Sequence, residues 1–330
     1  MPKIVVLDGY TLNPLPAAES SPDHPSWHAL ATLGDLTIHE RSTPADIPAR
    51  IADAEIVLTN KAPLSRETIS SLPHLKYIGV MATGTNIVDL KAASEHGIVV
   101  TNVPGYSTMS VAQHVFALIL ELCSQVGPLD REVKSGRWQA CPDFCFTVAP
   151  LHELDGKTLG IVGLGAIGQA VARIGVAFGM KIIATARSPK QVDFPVDWVS
   201  TEDLLRRADV VSLHCPLTPE THHLINAKTL AGMKPSALLI NTGRGPLVEE
   251  QAVAAALEAG QLGGYGGDVL LAEPPVHGSP LISAPRSVLT PHVAWASVEA
   301  RQRLMDALVG NVKAFLSGIP SNVVNSPVRS

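Results

Sequence analysis

A glycine-rich turn between a predicted strand and a predicted helix constrains the fold of this chain more than any other feature. The segment 163–168 reads Gly-Leu-Gly-Ala-Ile-Gly and follows the apolar run 158–162. In the pattern G-x-G-x-x-G, the first glycine permits a tight turn, the second lets the backbone approach a pyrophosphate, and the third lets the helix pack on the strand. The helix start supplies N–H donors for phosphate. The motif therefore predicts a dinucleotide site at Gly163, Gly165, Ala166, Ile167 and Gly168.

Short apolar runs alternate with helical stretches along the whole chain. Runs of this kind are typical of parallel strands that helices bury on both faces. The predicted strands are 3–7, 55–58, 75–80, 98–101, 158–162, 181–184, 210–213, 237–241, 266–269 and 288–289. The predicted helices are 108–124, 168–178, 201–207, 227–233, 249–258 and 297–317. The order indicates an α/β protein, and a length of 330 residues suits two domains, each with a doubly wound parallel sheet.

Composition and charge exclude several classes of function. The net charge is −5 and Lys and Arg form no cluster, so we expect no nucleic-acid partner. Apolar runs are far shorter than a membrane span, and residues 1–9 read as a strand without a signal peptide, so we expect a cytoplasmic protein with no membrane association. We predict no metal site, because the cysteines do not complete a zinc set; they are Cys123, Cys141, Cys145 and Cys215.

The end of the second strand of the dinucleotide unit bears on the choice of cofactor. In NAD-binding units, an acidic residue about 20 positions after the glycines binds the adenine ribose. This chain has no carboxylate there and instead has Arg187, with Ser188 and Lys190 nearby. A guanidinium suits a 2′-phosphate, so we predict that NADP(H) is preferred and that NAD(H) is possible. The alternative is that Arg187 is an ordinary surface residue of a loop.

Three polar residues follow predicted strands in the second half of the chain. Arg244 lies between two glycines, Glu273 lies on a proline-containing loop, and His292 follows Thr290-Pro291. Arg244 suits a carboxylate, and Glu273 would keep His292 protonated as an acid for reduction of a keto acid. His214 also follows a strand, but no acid follows it closely, so we interpret it as part of the cofactor pocket wall.

Four motifs occur in order along the chain, at 163–168, 241–245, 268–274 and 290–297. Together they resemble the D-isomer-specific 2-hydroxyacid dehydrogenases, most closely the glycerate dehydrogenase and hydroxypyruvate/glyoxylate reductase branch. The resemblance implies reversible reduction of a small 2-keto acid, glyoxylate or hydroxypyruvate, to the D-2-hydroxy acid. It implies that Arg244 binds the substrate and that His292 with Glu273 forms the acid-base pair.

The resemblance also implies further contacts and a domain plan. Asp268 would hold the nicotinamide end, and the other implied cofactor contacts are Cys215, Pro216, Thr221, Thr242 and Gly243. The implied substrate contacts are Lys61, Thr83, Gly84 and Trp295, although Lys61 is alternatively an ordinary surface lysine. Residues 1–103 with 298–330 would form a flavodoxin-like substrate domain, and residues 104–297 a Rossmann domain. The helix and arm at 108–150 would form a homodimer.

Two alternatives remain. One is a reductase of bulkier 2-keto acids, although Trp295 and Met81 favour a small pocket. The other belongs to a different class: a dinucleotide-sensing scaffold similar to transcriptional corepressors. Joint retention of Arg244, Glu273 and His292 argues against the scaffold, because binding alone needs no proton donor.

Overall fold

The structure is a computed structural model that describes residues 1–13 and 23–327. In chain order, the strands are β1 (Lys3–Val6), β2 (Asp35–Ile38), β3 (Ile56–Thr59), β4 (Tyr77–Val80), β5 (Val99–Thr101), β6 (Thr158–Val162), β7 (Lys181–Thr185), β8 (Asp197–Trp198), β9 (Val210–Leu213), β10 (Leu238–Asn241), β11 (Gly264–Gly267) and β12 (Ser287–Leu289).

The helices are α1 (His28–Ala31), α2 (Ile47–Arg50), α3 (Arg66–Ser70), α4 (Leu90–Glu95), α5 (Thr108–Ser124), α6 (Val126–Lys134), α7 (Ala166–Ala177), α8 (Thr201–Arg207), α9 (Ala227–Leu230), α10 (Glu250–Glu258), α11 (Pro280–Ser283) and α12 (Val298–Leu316).

The chain forms two compact units. The first comprises Met1–Ser107 with Ala296–Ser330, and the second comprises Thr108–Trp295. The domain boundaries predicted from the sequence, after residue 103 and before residue 298, lie near these. Residues 14–22 and 328–330 of the predicted substrate domain lie outside the described residues.

The first unit contains a five-stranded parallel sheet with the order β2-β1-β3-β4-β5. This is the flavodoxin-like order, in which the chain direction across the sheet reverses beside β1. One face packs against α2, α3 and α4 through a core that includes Val57, Ile69 and Ile78. On α12, the ring of Phe315 lies 4.7 Å from that of Tyr77 on β4, so helices cover both faces.

The second unit contains a seven-stranded parallel sheet with the order β12-β11-β10-β9-β6-β7-β8. From β8 to β11 this is the doubly wound order of dinucleotide-binding folds. Side chains of the central strands β6, β7, β9 and β10 enter two separate cores. Leu239 belongs to the core beneath α8 to α11, and Ile240 belongs to the core beneath α5 and α7. The predicted fold class is confirmed.

Several predicted elements are confirmed at the residue level, and others are wrong in detail. Helices α5 and α8 have the predicted bounds. The sequence prediction missed β2 and β8, which are edge strands with exposed or half-buried residues and therefore lack a continuous apolar run. Strand β11 lies two residues earlier than predicted, because its sequence Gly-Tyr-Gly-Gly has little apolar character.

The apolar content of the helices bears on membrane insertion. Among residues 1–13 and 23–327, no single helix is long and apolar enough to cross a bilayer; α5 and α6, which meet at a bend of 57°, reach that length and composition only as a pair.

Candidate active site

The strand order of the second unit gathers the predicted residues along one edge of its sheet. All seven strands are parallel, so their carboxyl ends share this edge. Along it, in spatial order, follow the segments after β12, β11, β10, β9, β6 and β7. These segments carry His292, Asp268, Arg244, His214, the glycine turn and Arg187. Ligands of open α/β sheets bind at this edge.

The glycine turn leaves β6 and enters α7 as the motif requires. Gly163 has φ +93°, and a Cβ at this position would lie 2.7 Å from the backbone nitrogen of Cys215. Only glycine therefore lets the turn pass so close to the segment after β9. Gly165 is the N-cap of α7, and a Cβ there would meet no atom within 4 Å. Ala166, Ile167 and Gly168 form the first helical turn, whose N–H groups are donors for an anion.

A buried hydroxyl at this edge is suited to binding a polar ligand. Thr242 Oγ1 is buried, and no hydrogen-bond partner for it occurs in the part of the chain that the structure describes. Buried polar atoms are nearly always paired, so this atom fits a bound group. Beside it, the Gly243 N–H donates to Asn241 Oδ1 at 3.1 Å. The second unit is thus suited to a dinucleotide on two separate observations.

The segment after β9 carries four predicted cofactor contacts. His214 is partly buried, its Nε2 lies 2.8 Å from Ser212 Oγ, and burial lowers its pKa to about 4. Burial also raises the pKa of Cys215. The Thr221 hydroxyl donates to the Pro216 carbonyl at 2.7 Å and accepts from the Thr218 N–H at 2.8 Å, so it stiffens the loop.

The loop after β7 presents Arg187, Ser188 and Lys190 to solvent. The pKa of Glu220 is lowered, first by a hydrogen bond from Thr218 and in smaller part by the charge of Arg187. Arg187 therefore interacts electrostatically with the loop after β9.

His292 and Glu273 are brought together although 19 residues separate them. His292 Nδ1 lies 2.5 Å from Glu273 Oε2, and both side chains are partly exposed, at 28% and 32%. Glu273 Oε1 also accepts the Leu270 N–H at 3.1 Å. The peptide bond between Glu273 and Pro274 is cis. The pair has the geometry of an acid-base dyad oriented by a carboxylate.

The loop that carries His292 is tied to Asp268, which is 1% exposed. The carboxylate accepts the Thr290 hydroxyl at 2.6 Å, the Val293 N–H at 2.9 Å and the Ala294 N–H at 2.8 Å. These contacts make Asp268 an anchor of the loop, and its predicted contact with the nicotinamide end stays a prediction. The Trp295 indole N–H donates to the His292 carbonyl at 2.9 Å.

The turn that carries Arg244 lies against the loop of Glu273. Arg244 is exposed, and its Nη1 donates to the Gly243 carbonyl at 2.8 Å. A Cβ on Gly245 would lie 2.0 Å from the Leu270 carbonyl oxygen, so the two backbones are in direct contact. The cation and the acid-base pair therefore belong to neighbouring loops.

The predicted substrate contacts of the first unit also follow neighbouring strands, β3 and β4. The Lys61 side chain is exposed, and its backbone N–H donates to Asp8 Oδ2 at 2.5 Å. Thr83 donates its hydroxyl to the Val103 carbonyl at 3.0 Å, and Gly84 is half-buried beside it.

Sequence reasoning missed the residues that hold these loops. Asp8 also accepts the N–H groups of Asn60 and Ala62, both at 2.8 Å. Glu250 accepts the Leu271 N–H and the Ser279 hydroxyl, both at 2.6 Å, and so anchors the Glu273 loop. Their partners are 21 to 54 residues away, so no local pattern marked them. Within residues 1–13 and 23–327, no cluster of three or more His, Cys, Asp or Glu residues could hold a metal ion.

Comparison with known proteins decides the family. A protein-family sequence model described as "D-isomer specific 2-hydroxyacid dehydrogenase, NAD binding domain" matches residues 116–294. The chain belongs to the D-isomer-specific 2-hydroxyacid dehydrogenase family.

Two relatives and one solved structure illustrate the similarity within this family. A hydroxypyruvate reductase of Blautia hydrogenotrophica is 43% identical over 98% of this chain and 99% of its own length. A glycerate dehydrogenase of Methylorubrum extorquens is 44% identical over 86% of this chain and 90% of its own. An NADPH-dependent glyoxylate/hydroxypyruvate reductase of Sinorhizobium meliloti, crystallised with NADP and malonate, superposes with a TM-score of 0.83 at 31% identity over 100% of this chain and 98% of that one.

Proposed function

We propose that this protein is a reductase that uses NADPH to convert a small 2-keto acid, glyoxylate or hydroxypyruvate, into the corresponding D-2-hydroxy acid, and that it also catalyses the reverse reaction. The observation that carries the proposal is the contact of His292 Nδ1 with Glu273 Oε2 at 2.5 Å, at the sheet edge that also carries Arg244. The names of relatives with 43% and 44% identity support the substrate class.

The proton chemistry follows from the ring of His292. Glu273 engages Nδ1, so we assign Nε2 to the substrate carbonyl oxygen. In reduction, protonated His292 donates this proton, and in oxidation the neutral ring accepts it. A bound nicotinamide supplies or accepts the hydride. Arg244 binds the substrate carboxylate with the guanidinium donors that remain beside its bond to Gly243.

The cofactor preference rests on the loop after β7. A carboxylate there would repel a 2′-phosphate, and this chain has Arg187, Ser188 and Lys190 instead. Similar solved structures hold NADPH or NADP, and a D-lactate dehydrogenase of Aquifex aeolicus, 30% identical, holds NAD, so the preference rests on Arg187. We propose the remaining predicted residues as contacts in the roles already given. They are His214, Cys215, Pro216, Thr221, Thr242, Gly243 and Asp268 for the cofactor, and Lys61, Thr83, Gly84 and Trp295 for the substrate.

The test is the initial rate of glyoxylate and hydroxypyruvate reduction with NADPH and with NADH, followed by nicotinamide absorbance. We expect turnover of both acids and a lower KM for NADPH than for NADH. A preference for NADH would contradict the assignment of Arg187. Turnover restricted to branched or aromatic keto acids would favour a reductase of bulkier substrates, and no turnover of any keto acid would favour the dinucleotide-sensing scaffold.

The acid-base assignment has its own variant. His292→Ala should lower kcat at least about 100-fold, the usual contribution of a general acid. His74→Ala is the matched control, because His74 is an exposed histidine of the first unit. If His292→Ala lowered turnover less than about tenfold, the residue would contribute under about 1.4 kcal/mol and would not be the acid.

The oligomeric state is a further part of the proposal. The helix and arm at 108–150 expose large apolar side chains, including Phe144 at 89% and Trp138 at 52%. Exposed apolar patches of this kind mark interaction surfaces, so we propose a homodimer formed through the arm. Light scattering after gel filtration should give the dimer mass, and Phe144→Ser should shift it towards the monomer. The cytoplasmic location stays a prediction.

A further inference from the structure

The backbone of His292 adopts a conformation that side chains rarely adopt. Its φ is +55°, in the left-handed region that glycine favours. Such a conformation persists only where surrounding contacts over-determine it. The His292 N–H donates to the Asp268 carbonyl at 2.8 Å, and the neighbouring Val293 and Ala294 N–H groups donate to the Asp268 carboxylate. These contacts fix the backbone from which the ring extends, and Glu273 holds the ring itself at Nδ1.

Helix α5 reaches both ends of this loop. His114 Nε2 lies 2.8 Å from Thr290 Oγ1 at the start of the loop, and the Ser110 hydroxyl donates to the Ala294 carbonyl at 2.6 Å near its end. Ser110 and His114 are four residues apart, so they lie on the same helix face. The helix packs across β10, β11 and β12, which places this face beside the loop.

The hydrogen-bond directions are determined by the groups present. The Thr290 hydroxyl has one hydrogen, which it donates to Asp268 Oδ1 at 2.6 Å. The hydroxyl oxygen must then accept from His114, so Nε2 of His114 carries a hydrogen. The same nitrogen lies 3.7 Å from Asp268 Oδ1, which is beyond hydrogen-bond distance, so His114 reaches the buried carboxylate through Thr290.

We propose that His114 and Ser110 are positioning residues for the acid His292. His114 acts through Thr290 and Asp268, and Ser110 acts through the Ala294 carbonyl; neither side chain contacts the reacting atoms in this proposal. Their loss would leave the fold of the second unit in place and loosen the loop that holds the His292 ring. The inference rests on the proposed function, in which His292 is the acid.

The test compares variants that differ only in the donor at position 114. His114→Leu fills similar space without a donor, whereas His114→Gln keeps an N–H donor. We expect His114→Leu to lower kcat about 10- to 100-fold, the effect of a misplaced catalytic group, while the KM for NADPH stays within about twofold. His114→Gln should recover most of kcat, and Ser110→Ala should lower kcat in the same direction. Glu258→Gln, at an exposed position at the end of α10 and outside the proposed dimer arm, should match the wild type.

A second measurement does not depend on turnover. Hydrogen exchange of the Val293 and Ala294 amides in the free protein should accelerate in His114→Leu and return towards the wild-type rate in His114→Gln. If the wild type reduced no keto acid, the proposed function would fail, and the exchange rates would still decide whether His114 anchors the loop.

Two results would overturn the inference. In one, His114→Leu keeps the wild-type kcat and exchange rates. In the other, Leu and Gln variants lose activity equally, which would assign His114 to packing alone. If His114→Leu did not fold, the test would compare Ser110→Ala, which should lower kcat, with His114→Gln, which should keep most of it.

Discussion

Gly245 brings two functional loops together by having no side chain. A Cβ at this position would lie 2.0 Å from the Leu270 carbonyl oxygen and 2.6 Å from the Leu271 nitrogen. Both obstacles are backbone atoms, so a rotamer change cannot relieve the overlap. The turn of Arg244 and the loop of Glu273 would have to separate to admit a larger residue.

We therefore expect Gly245→Ala to reduce both activity and stability. Overpacking costs about 1–3 kcal/mol of the free energy of unfolding, and kcat should fall because the two loops move apart. Urea denaturation and initial rates measure the two effects. Gly232→Ala is the control, because a Cβ there makes only an ordinary contact of 3.5 Å with the Thr229 carbonyl oxygen. Wild-type activity in Gly245→Ala would contradict the expectation that activity depends on the close contact between the two loops.

His214 makes stability depend on pH. Burial lowers its pKa from 6.5 to about 4, so between these values the unfolded chain binds a proton that the folded chain does not. Stability therefore rises with pH across this window and is lost as the pH falls from 6.5 towards 4. The loss is at most about 3 kcal/mol, and the partial exposure of the residue reduces it.

His214→Gln removes the titrating ring, and its amide can still pair with Ser212. The wild type should lose more free energy of unfolding between pH 7 and pH 4.5 than the variant does, as measured by urea denaturation at both values. Equal losses would show that another group carries the pH dependence.

Helix α12 contains a glycine for which the structure shows no packing reason. Gly310 lies in the helix interior, and a Cβ there would meet no atom within 4 Å among the described residues. Glycine is less favourable than alanine in a helix by about 1 kcal/mol. Gly310→Ala should therefore raise the free energy of unfolding by about 0.5–1 kcal/mol and leave kcat unchanged. A lower free energy of unfolding in Gly310→Ala would contradict the open space beside this position.

At the scale of elements, the strength of the local signal decided which predictions were correct. Helix α5 has a long apolar face, and both its ends were predicted correctly. Strand β11 is four residues long and three of them are glycine, so its position depends on pairing with β10 and β12. The edge strand β8 pairs through only two residues with β7, which leaves little pattern to detect.

The first unit is built from both ends of the chain. The Asn325 side chain accepts the Val100 N–H at 2.9 Å and donates to the Ile98 carbonyl at 2.8 Å, and Val323 pairs with Thr101. Val323 and Asn325 thus cover the free edge of β5. This arrangement satisfies backbone groups that an edge strand would otherwise expose.

We expect Asn325→Ala to destabilise the first unit by about 1–3 kcal/mol, because two backbone groups lose their partners. Hydrogen exchange should accelerate in β5 and leave β6 and β10 unchanged. Gln302→Ala on α12 offers a control in the same unit, since this side chain is exposed and bonds to Asp306 of the same helix. Uniform acceleration across both units would contradict a local effect.

The sequence by itself determined the fold class, the dinucleotide unit and the residues proposed for chemistry, because each depends on local order: a glycine turn after a strand, or a polar residue at a strand end. The tertiary structure decided how those residues are held. Asp268 is an anchor of the His292 loop, and Glu250 and His114 hold loops from elements far away in the chain. Such contacts join residues 21 to 176 positions apart, and local periodicity carries no information about which distant backbone group a buried side chain will meet.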